Sequence, residues 1–201
     1  MRDLLKQSFA LVGVIKALRQ IPFDVRRALW CIGRDADIRE YLDAHPVRKL
    51  QIGAGYNMLD GWLNVDFNPY TRQPGQLYLN ATRRFPFADA SLDYVFSEHM
   101  IDHIWWPDGQ TMLKESHRIL KPGGTFLFLE HGLAPEAKVQ KWQHRIEPTW
   151  KVLMGGCHLT RPVKQSVAQA GFTVTPIDQG YMPKMPKFAS WMEWGEAVKA
   201  G

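Results

Sequence analysis

Residues 50–66 read LQIGAGYNMLDGWLNVD, with two glycines, Gly53 and Gly55, and an acid, Asp66, eleven residues after the second glycine. A glycine turn lets backbone approach a ligand closely and points N–H donors at it. An acid at the end of the next strand can accept both hydroxyls of a ribose. The pair therefore predicts a nucleoside held between turn and carboxylate, on the condition that WLNVD (62–66) is the second strand. The full GxGxxG pattern is absent, because Met58 stands where its last glycine would be. Taken alone, the two glycines serve a tight turn equally well.

A second group of residues offers proton chemistry. His99, His131, His144 and His158 are candidate bases. His99 follows one predicted strand and His131 follows another, so both fall at the carboxyl edge of a sheet, where ligands of open α/β sheets bind. Each also has a structural alternative: a satisfied, partly buried hydrogen bond for His99, a loop anchor for Glu130-His131, and loop packing or helix capping for His158. Cys157 reads as a small buried hydrophobe rather than a nucleophile. His99 and His103 are four residues apart beside Glu98 and Asp102, a spacing that can bring two imidazoles to one helical face. The pattern is not HExxH, and only the distant His131 could complete a ligand set, so no metal is expected.

The elements that must position these groups follow from periodicity. Residues 3–20 place Leu4, Leu5, Phe9, Leu11, Val12, Ile15 and Leu18 at helical spacing, with Pro22 expected to break the helix. Residues 24–44 read as helix in two pieces around Gly33. VRKLQI, WLNVD, QLYLNA (76–81), SLDYVFS (91–97) and GTFLFLE (124–130) read as strands. DGQTMLKESHRIL (108–120) is an amphipathic helix with Met112, Leu113, His117 and Leu120 near one side, stopped by Lys121-Pro122-Gly123-Gly124. A helix over 164–170 and the strands GFTVTPI and WMEWGEAVKA close the chain, with Thr160 as the expected N-cap. Strands alternating with helices predict an α/β sandwich around a mostly parallel sheet.

Composition narrows the function classes. The 201 residues suit one domain with a sizeable core, and at 45% hydrophobic the chain is not a disordered one. A net charge of +5 without a basic segment interleaved with aromatics gives no reason to expect nucleic acid as partner. Two separated cysteines, without CxxC, fit reduced thiols and a cytoplasmic setting. The longest apolar run near the start, FALVGVI, is too short to span a bilayer.

The chain resembles the class I S-adenosylmethionine-dependent methyltransferases, in particular the ubiquinone/menaquinone-biosynthesis type. LQIGAG resembles that family's first motif, LNATRRFPFADASLDYVFSEHMIDHI its next blocks, and RILKPGGTFLF its helix–turn–strand signature. The resemblance implies a three-layer Rossmann-like sandwich, with a seven-stranded sheet and an antiparallel last strand, and S-adenosyl-L-methionine as cofactor. It implies that Gly53, Ala54, Gly55 and Asn57 lie against the cofactor's methionine part. Asp66 would take the ribose, Asn80 with Ala81 the adenine, and Ser97, Glu98 and His99 the floor near the reactive methyl. Asn57 stands where the family has a glycine and Asn80 where it has an aspartate, so modest cofactor affinity is expected. An asparagine tolerates left-handed backbone, and its amide oxygen can accept the adenine N–H without charge assistance.

The distal half is similar to the membrane-associated thiol methyltransferases, through Glu130-His131, Trp142-Gln143, Pro148-x-Trp150 and Gly156-Cys157-x-Leu159-Thr160-Arg161. The expected organisation is a helical lid or cap over 1–45 and a methyltransferase domain over 46–201, with 131–163 as an acceptor-side insertion. The acceptor would be small and fairly apolar, a thiol among the candidates, with His99 and His131 as catalytic groups. A lipid, a quinone precursor, a natural-product scaffold and a non-catalytic interaction role are the alternatives. Trp105-Trp106 could roof the pocket, and Trp142, Trp150, Trp191 and Trp194 could wall it. The first helix has three readings: a lid over the cofactor, packing on the sheet, or peripheral contact with a membrane. Oligomeric state is open.

Overall fold

A computed structural model describes the backbone of residues 2–201 and the side chains from residue 11 onward. Two helices, α1 (Arg2–Trp30) and α2 (Arg34–Ala44), precede the strands β1 (Lys49–Ile52), β2 (Leu63–Asp66), β3 (Leu77–Tyr78) and β4 (Leu92–Glu98). Then come α3 (Trp106–Ile119), β5 (Leu120–His131), α4 (Ala137–Leu153), α5 (Val163–Gln169), β6 (Phe172–Val174), β7 (Asp178–Tyr181) and β8 (Trp191–Lys199). The sheet runs β3-β2-β1-β4-β5-β8-β6, and β7 also pairs with β8. The first five strands are mutually parallel, and β8 runs antiparallel to its neighbours.

The expected sandwich with an antiparallel last strand is present, but the sheet has eight strands rather than seven. The extra one arises because the sixth position is split. Phe172–Val174 pairs with Ala197–Lys199, and Asp178–Tyr181 pairs with Trp191–Trp194. Between them Thr175, Pro176 and Ile177 face only Gly195 and Glu196. Pro176 has no N–H to give the ladder, so the strand bulges there and resumes. The strand order reverses between β1 and β4, which makes their carboxyl ends the natural ligand crevice.

Helix α1 is continuous through Pro22, contrary to the expected break. Pro22 deprives the carbonyl of Leu18 of its partner, but Leu18 is exposed, so water can satisfy that oxygen. Leu4, Leu5 and Phe9, part of the predicted apolar face, lie outside the residues whose side chains are described. In α3 the buried positions are Gly109, Met112, Leu113, Ser116 and Ile119. His117 sits instead at the rim, edge-on to Phe172 at 4.9 Å. Leu120 already belongs to β5: it pairs with Leu92, and the register then shifts so that Thr125 faces Tyr94. The Pro122-Gly123-Gly124 stretch is thus an irregularity inside a strand, with Gly123 at φ +77°. QLYLNA shrinks to the two paired residues of β3. The 131–163 segment contains the 17-residue helix α4.

The core fills the layer between one face of β1, β4 and β5 and the helices α3 and α5. Leu50, Ile52, Val95, Phe126 and Phe128 meet Met112, Leu113 and Ile119 from α3 and Val163 and Val167 from α5. Each such side chain contributes about 1.5–3 kcal/mol by leaving water, which holds the strand ends in fixed positions for the site.

Candidate active site

The glycine turn is braced from below by amides. Gly53 (φ +71°) and Gly55 (φ +50°) both adopt left-handed backbone. A Cβ on Gly53 would lie 2.3 Å from Met100 Sδ, whereas one on Gly55 would meet nothing within 4 Å. The turn is therefore packed on one side and open on the other. Three buried side chains fix its course. Gln51 Nε2 donates to Asn57 O and its Oε1 accepts from Leu59 N. Asn64 Oδ1 also accepts from Leu59 N, and its Nδ2 donates to Leu59 O and Trp62 O. Gln76 Nε2 donates to Gly55 O at 3.0 Å. Sequence reasoning missed all three. A polar residue in each of the short strand candidates was the available signal, since a buried amide must be bonded to something.

Asp66 ends β2 and meets the turn directly. Its Oδ2 accepts Gly55 N–H at 2.8 Å, and its Oδ1 accepts from Phe67 N and Asn68 N. A carboxylate offers about four acceptor positions, so one remains for a ligand rather than the two expected. Asn57 does not use left-handed backbone; its Nδ2 donates to Glu98 Oε2 at 3.2 Å, joining the turn to the end of β4. Asn80 follows β3, beside Asp66 through the Leu79 N to Asp66 O bond. Its Oδ1, the atom expected to accept the adenine N–H, already accepts from the N–H and hydroxyl of Thr82. Ala54 and Ala81 are buried among core residues. Glu115 and Arg118 of α3 hold the loop beyond Asn80, through Phe85 N, Phe85 O, Phe87 O and Asp89.

The carboxyl ends of β4 and β5 bring the histidines together. Ser97 is fully buried, and its hydroxyl donates to Glu130 Oε1 at 3.2 Å, so it supports the floor from beneath. His99 is in left-handed backbone at φ +50°, a costly conformation for a non-glycine residue that concentrates at functional sites. Its ring lies 5.0 Å from that of His131. Both are near Asp102, a fully buried carboxylate: His99 Nδ1 is 3.5 Å from Oδ2, His103 Nε2 is 3.7 Å from Oδ1, and Cys157 Sγ is 3.5 Å from Oδ2. Glu130 is also fully buried and accepts from Met100 N and Asp102 N.

These surroundings tune the groups in opposite directions. The hydrogen bond to Asp102 raises His99, whereas burial lowers His131. Burial acts to raise Asp102, but the bond from His99 and the neighbouring imidazoles of His103 and His131 outweigh it and hold the carboxyl low. Burial, with the Asp102 charge, pushes Glu130 up to about 8 and the Cys157 thiol up to about 12. Cys157 is thus no nucleophile near neutral pH. Asp102 was seen in the sequence only as a neighbour of His99. Its place at the centre of five residues required the fold.

The distal motif has a mechanical explanation. Glu147 of α4 accepts from Thr160 Oγ1 and pairs with His158 Nδ1 at 2.8 Å. Thr160 therefore does not cap α5, whose N-cap position is Pro162. The same segment is tied to the residues after β4 by His158 N to Asp102 O, His103 Nδ1 to Gly155 O and Arg161 Nη2 to Ile104 O. His144 lies exposed on α4, outside this cluster. The tryptophans do not converge. Trp105 is exposed, and Trp106 lies under Arg161. Trp150 meets Phe188 edge-on, Trp191 is buried, and Trp194 is partly exposed on β8. Trp142 lines an apolar groove of about 650 Å³ with Val139, Ile146 and Phe188. That groove includes no residue of the glycine turn or the histidine cluster.

This geometry can be set beside known proteins. Residues 58–128 match a family described as a methyltransferase domain. Thiol S-methyltransferase TMT1B of Rattus norvegicus is 36% identical over 92 residues, 45% of this chain and 37% of the relative. Thiol S-methyltransferase TMT1A of Homo sapiens is 31% identical over 114 residues, 56% of this chain and 46% of the relative. The chain has the Rossmann-like fold of the class I S-adenosylmethionine-dependent methyltransferases, and its matches are to methyltransferases. It spans less than half the length of these two thiol methyltransferases. A SAM-dependent methyltransferase of Methanosarcina mazei superposes with a TM-score of 0.59 at 16% identity, covering 81% of this chain and 96% of the other. At that identity the likeness speaks for the fold alone.

The residues present fit the family's cofactor. The face of the turn at Gly55 is open, where a side chain would otherwise stand, and Asp66 keeps an acceptor position beside it. Gly53, Ala54, Gly55, Asn57 and Asp66 form one bonded unit, with Asn80 and Ala81 one strand further on. Ser97 is the exception, because its hydroxyl points to Glu130.

Proposed function

We propose that the chain transfers a methyl group from S-adenosylmethionine to a small, fairly apolar acceptor, with a thiol as the leading class. The observation that carries this reading is the placement of the open glycine turn and Asp66 on β1 and β2 beside the paired imidazoles of His99 and His131 on β4 and β5. When bound, the cofactor supplies an electrophilic methyl on a sulfonium. Backbone N–H groups of the turn and the remaining acceptor position of Asp66 would hold its methionine and ribose parts. With the Asn80 oxygen engaged by Thr82, the Asn80 amide nitrogen and the wall at Ala81 are left to meet the base. His99 and His131 are the groups placed to hold the acceptor and draw off its proton. A thiol fits because it needs little such help, its free pKa being about 8.5. The similarity to thiol S-methyltransferases runs the same way. The test is transfer of labelled methyl to a panel of small thiols, phenols and amines. His131→Ala should reduce turnover about 100-fold with cofactor affinity unchanged. A variant that turns over like the parent would remove His131 from the reaction.

A specific observation favours membrane contact for the first helix over a lid. Helix α1 attaches through Phe23, Arg27 and Trp30. Phe23 meets Phe67 and Tyr70, Arg27 bonds Tyr78, and Trp30 donates to Gln76 O. Opposite them, Leu11, Val14, Ile15, Leu18, Ile21, Val25 and Leu29 make one exposed stripe at helical spacing, with Leu11, Leu18 and Leu29 at 61%, 59% and 59%. No described helix is long and apolar enough to cross a membrane. An apolar stripe bordered along one edge by Arg19 and Arg26 suits a helix lying in the plane of an anionic surface. The protein should sediment with vesicles containing phosphatidylserine, and Leu18→Glu with Ile21→Glu should release it. Retention of the double variant would overturn the assignment.

A further inference from the structure

We propose that His99, Asp102 and His131 form a binding site for one divalent transition-metal ion of the zinc class. The inference goes beyond methyl transfer as such, and rests on that reading only for what the ion does there. One ligand atom from each of the three residues lies within 4.8 Å of the others. Two imidazoles and a carboxylate are a donor set that zinc and its first-row neighbours accept, with a position left open. The lone histidine that the local sequence lacked is delivered by β5, one strand away from His99.

A buried hydrogen-bond network without an ion would explain the same proximity, and two observations weigh against it. His131 Nδ1 is buried without a hydrogen-bond partner, and so is Asp102 Oδ1, the carboxylate oxygen on the His103 side, 3.7 Å from His103 Nε2. Such orphans are rare in native interiors and mark a missing water or ion. Asp102 is 0% exposed, yet its ion-pair partners among the described residues are only the imidazoles of His99 and His103; no lysine or arginine reaches it. A carboxylate wholly out of water ordinarily keeps a full counter-charge. An entry path exists as well, because the His99 side chain is 37% exposed. Its left-handed backbone turns the residue out of β4 to where the three meet.

Asp102, His103 and Cys157 form a second possible ligand group on the other flank of the same carboxylate. The first group is preferred because it opens toward the edge where the acceptor must enter, whereas Cys157 is buried. At that edge the open position would take the sulfur of a thiol acceptor as its thiolate, the thiol proton leaving to solvent. His99 and His131 would then act on the acceptor through the ion.

The experiment is titration of tag-free full-length chain, stripped with a chelator, with Co²⁺ alone, read by absorption between about 500 and 700 nm. Expected are one ion per chain, an intense band of low-symmetry cobalt, and its loss on adding Zn²⁺. His131→Ala and His99→Asn should each weaken binding about 100-fold; asparagine is chosen because it tolerates the left-handed backbone of residue 99. Circular dichroism reports whether each variant is folded, and Zn²⁺ should raise the melting temperature of the parent but of neither variant. No saturable binding overturns the proposal. So does binding that survives both histidine changes, or that is lost in Cys157→Ala, which would put the ion on the other flank. S-adenosylmethionine titrated into the same preparation keeps the two readings apart. Cofactor binding without metal overturns this inference alone, and metal binding without cofactor overturns the methyl-transfer reading alone.

Discussion

Asp66→Asn should weaken S-adenosylmethionine binding about tenfold to 100-fold. The carboxylate does two things at once. It holds Gly55 N–H at 2.8 Å and also receives Phe67 N and Asn68 N, leaving one acceptor position for a ribose hydroxyl. A hydrogen bond to a charged group is worth about 1.5–3 kcal/mol, and each 1.4 kcal/mol is a factor of about ten in affinity. Asparagine keeps the size and one oxygen but loses the charge, and its NH₂ must face at least one N–H donor. Part of the loss would therefore come from a loosened turn. Calorimetric titration with S-adenosylmethionine and S-adenosylhomocysteine, on variants checked for an unchanged circular dichroism spectrum, reads the effect. An affinity within twofold of the parent would falsify the ribose role of Asp66.

Gln76→Leu should have the larger effect on stability. Gln76 is completely buried, and its side chain holds two backbone groups: Nε2 donates to Gly55 O and Oε1 accepts from Gln73 N, each at 3.0 Å. Leucine has similar bulk but no polar atom, so a carbonyl and an N–H would remain inside without partners. Each stranded group costs about 1–3 kcal/mol, giving a combined loss of about 2–6 kcal/mol. For a domain of this size the melting temperature should fall by roughly 5–15 °C. Because one stranded group belongs to the glycine turn, cofactor affinity should fall too, in a protein still folded at low temperature. Urea unfolding and cofactor titration on the same variant test both halves. A melting temperature within 2 °C of the parent, on the order of 1 kcal/mol or less, would show that water replaces the amide at no cost.

Much of the architecture was legible in the sequence because it rests on local, periodic signals. Hydrophobic runs of strand length separated by amphipathic stretches dictate a parallel sheet covered by helices, whatever the details of contact. The glycines announced a turn because left-handed backbone is cheap only for glycine, and Gly53 and Gly55 do adopt it. Asp66 was found by its distance from that turn, which β2 makes a spatial relation. The errors were also local in origin. Pro22 carries a breaking signal that solvent exposure overrides, and Thr160 has a capping type but is claimed by Glu147.

What only the tertiary structure decided is the chemistry between strands. Adjacent parallel strands bring residues far apart in sequence to one edge, so His99 and His131 become neighbours through β4–β5 pairing. Asp102 gained its importance by being enclosed, with His99, His103, His131 and Cys157 arriving from three separate segments. The buried amides Gln51, Asn64 and Gln76 took their meaning the same way, since an amide becomes a brace only when the fold removes its water. Residue types and spacings set the turn, the acid and the layers. Burial and cross-strand neighbourhood set which oxygens and nitrogens remain free, and an isolated sequence does not encode that freedom locally.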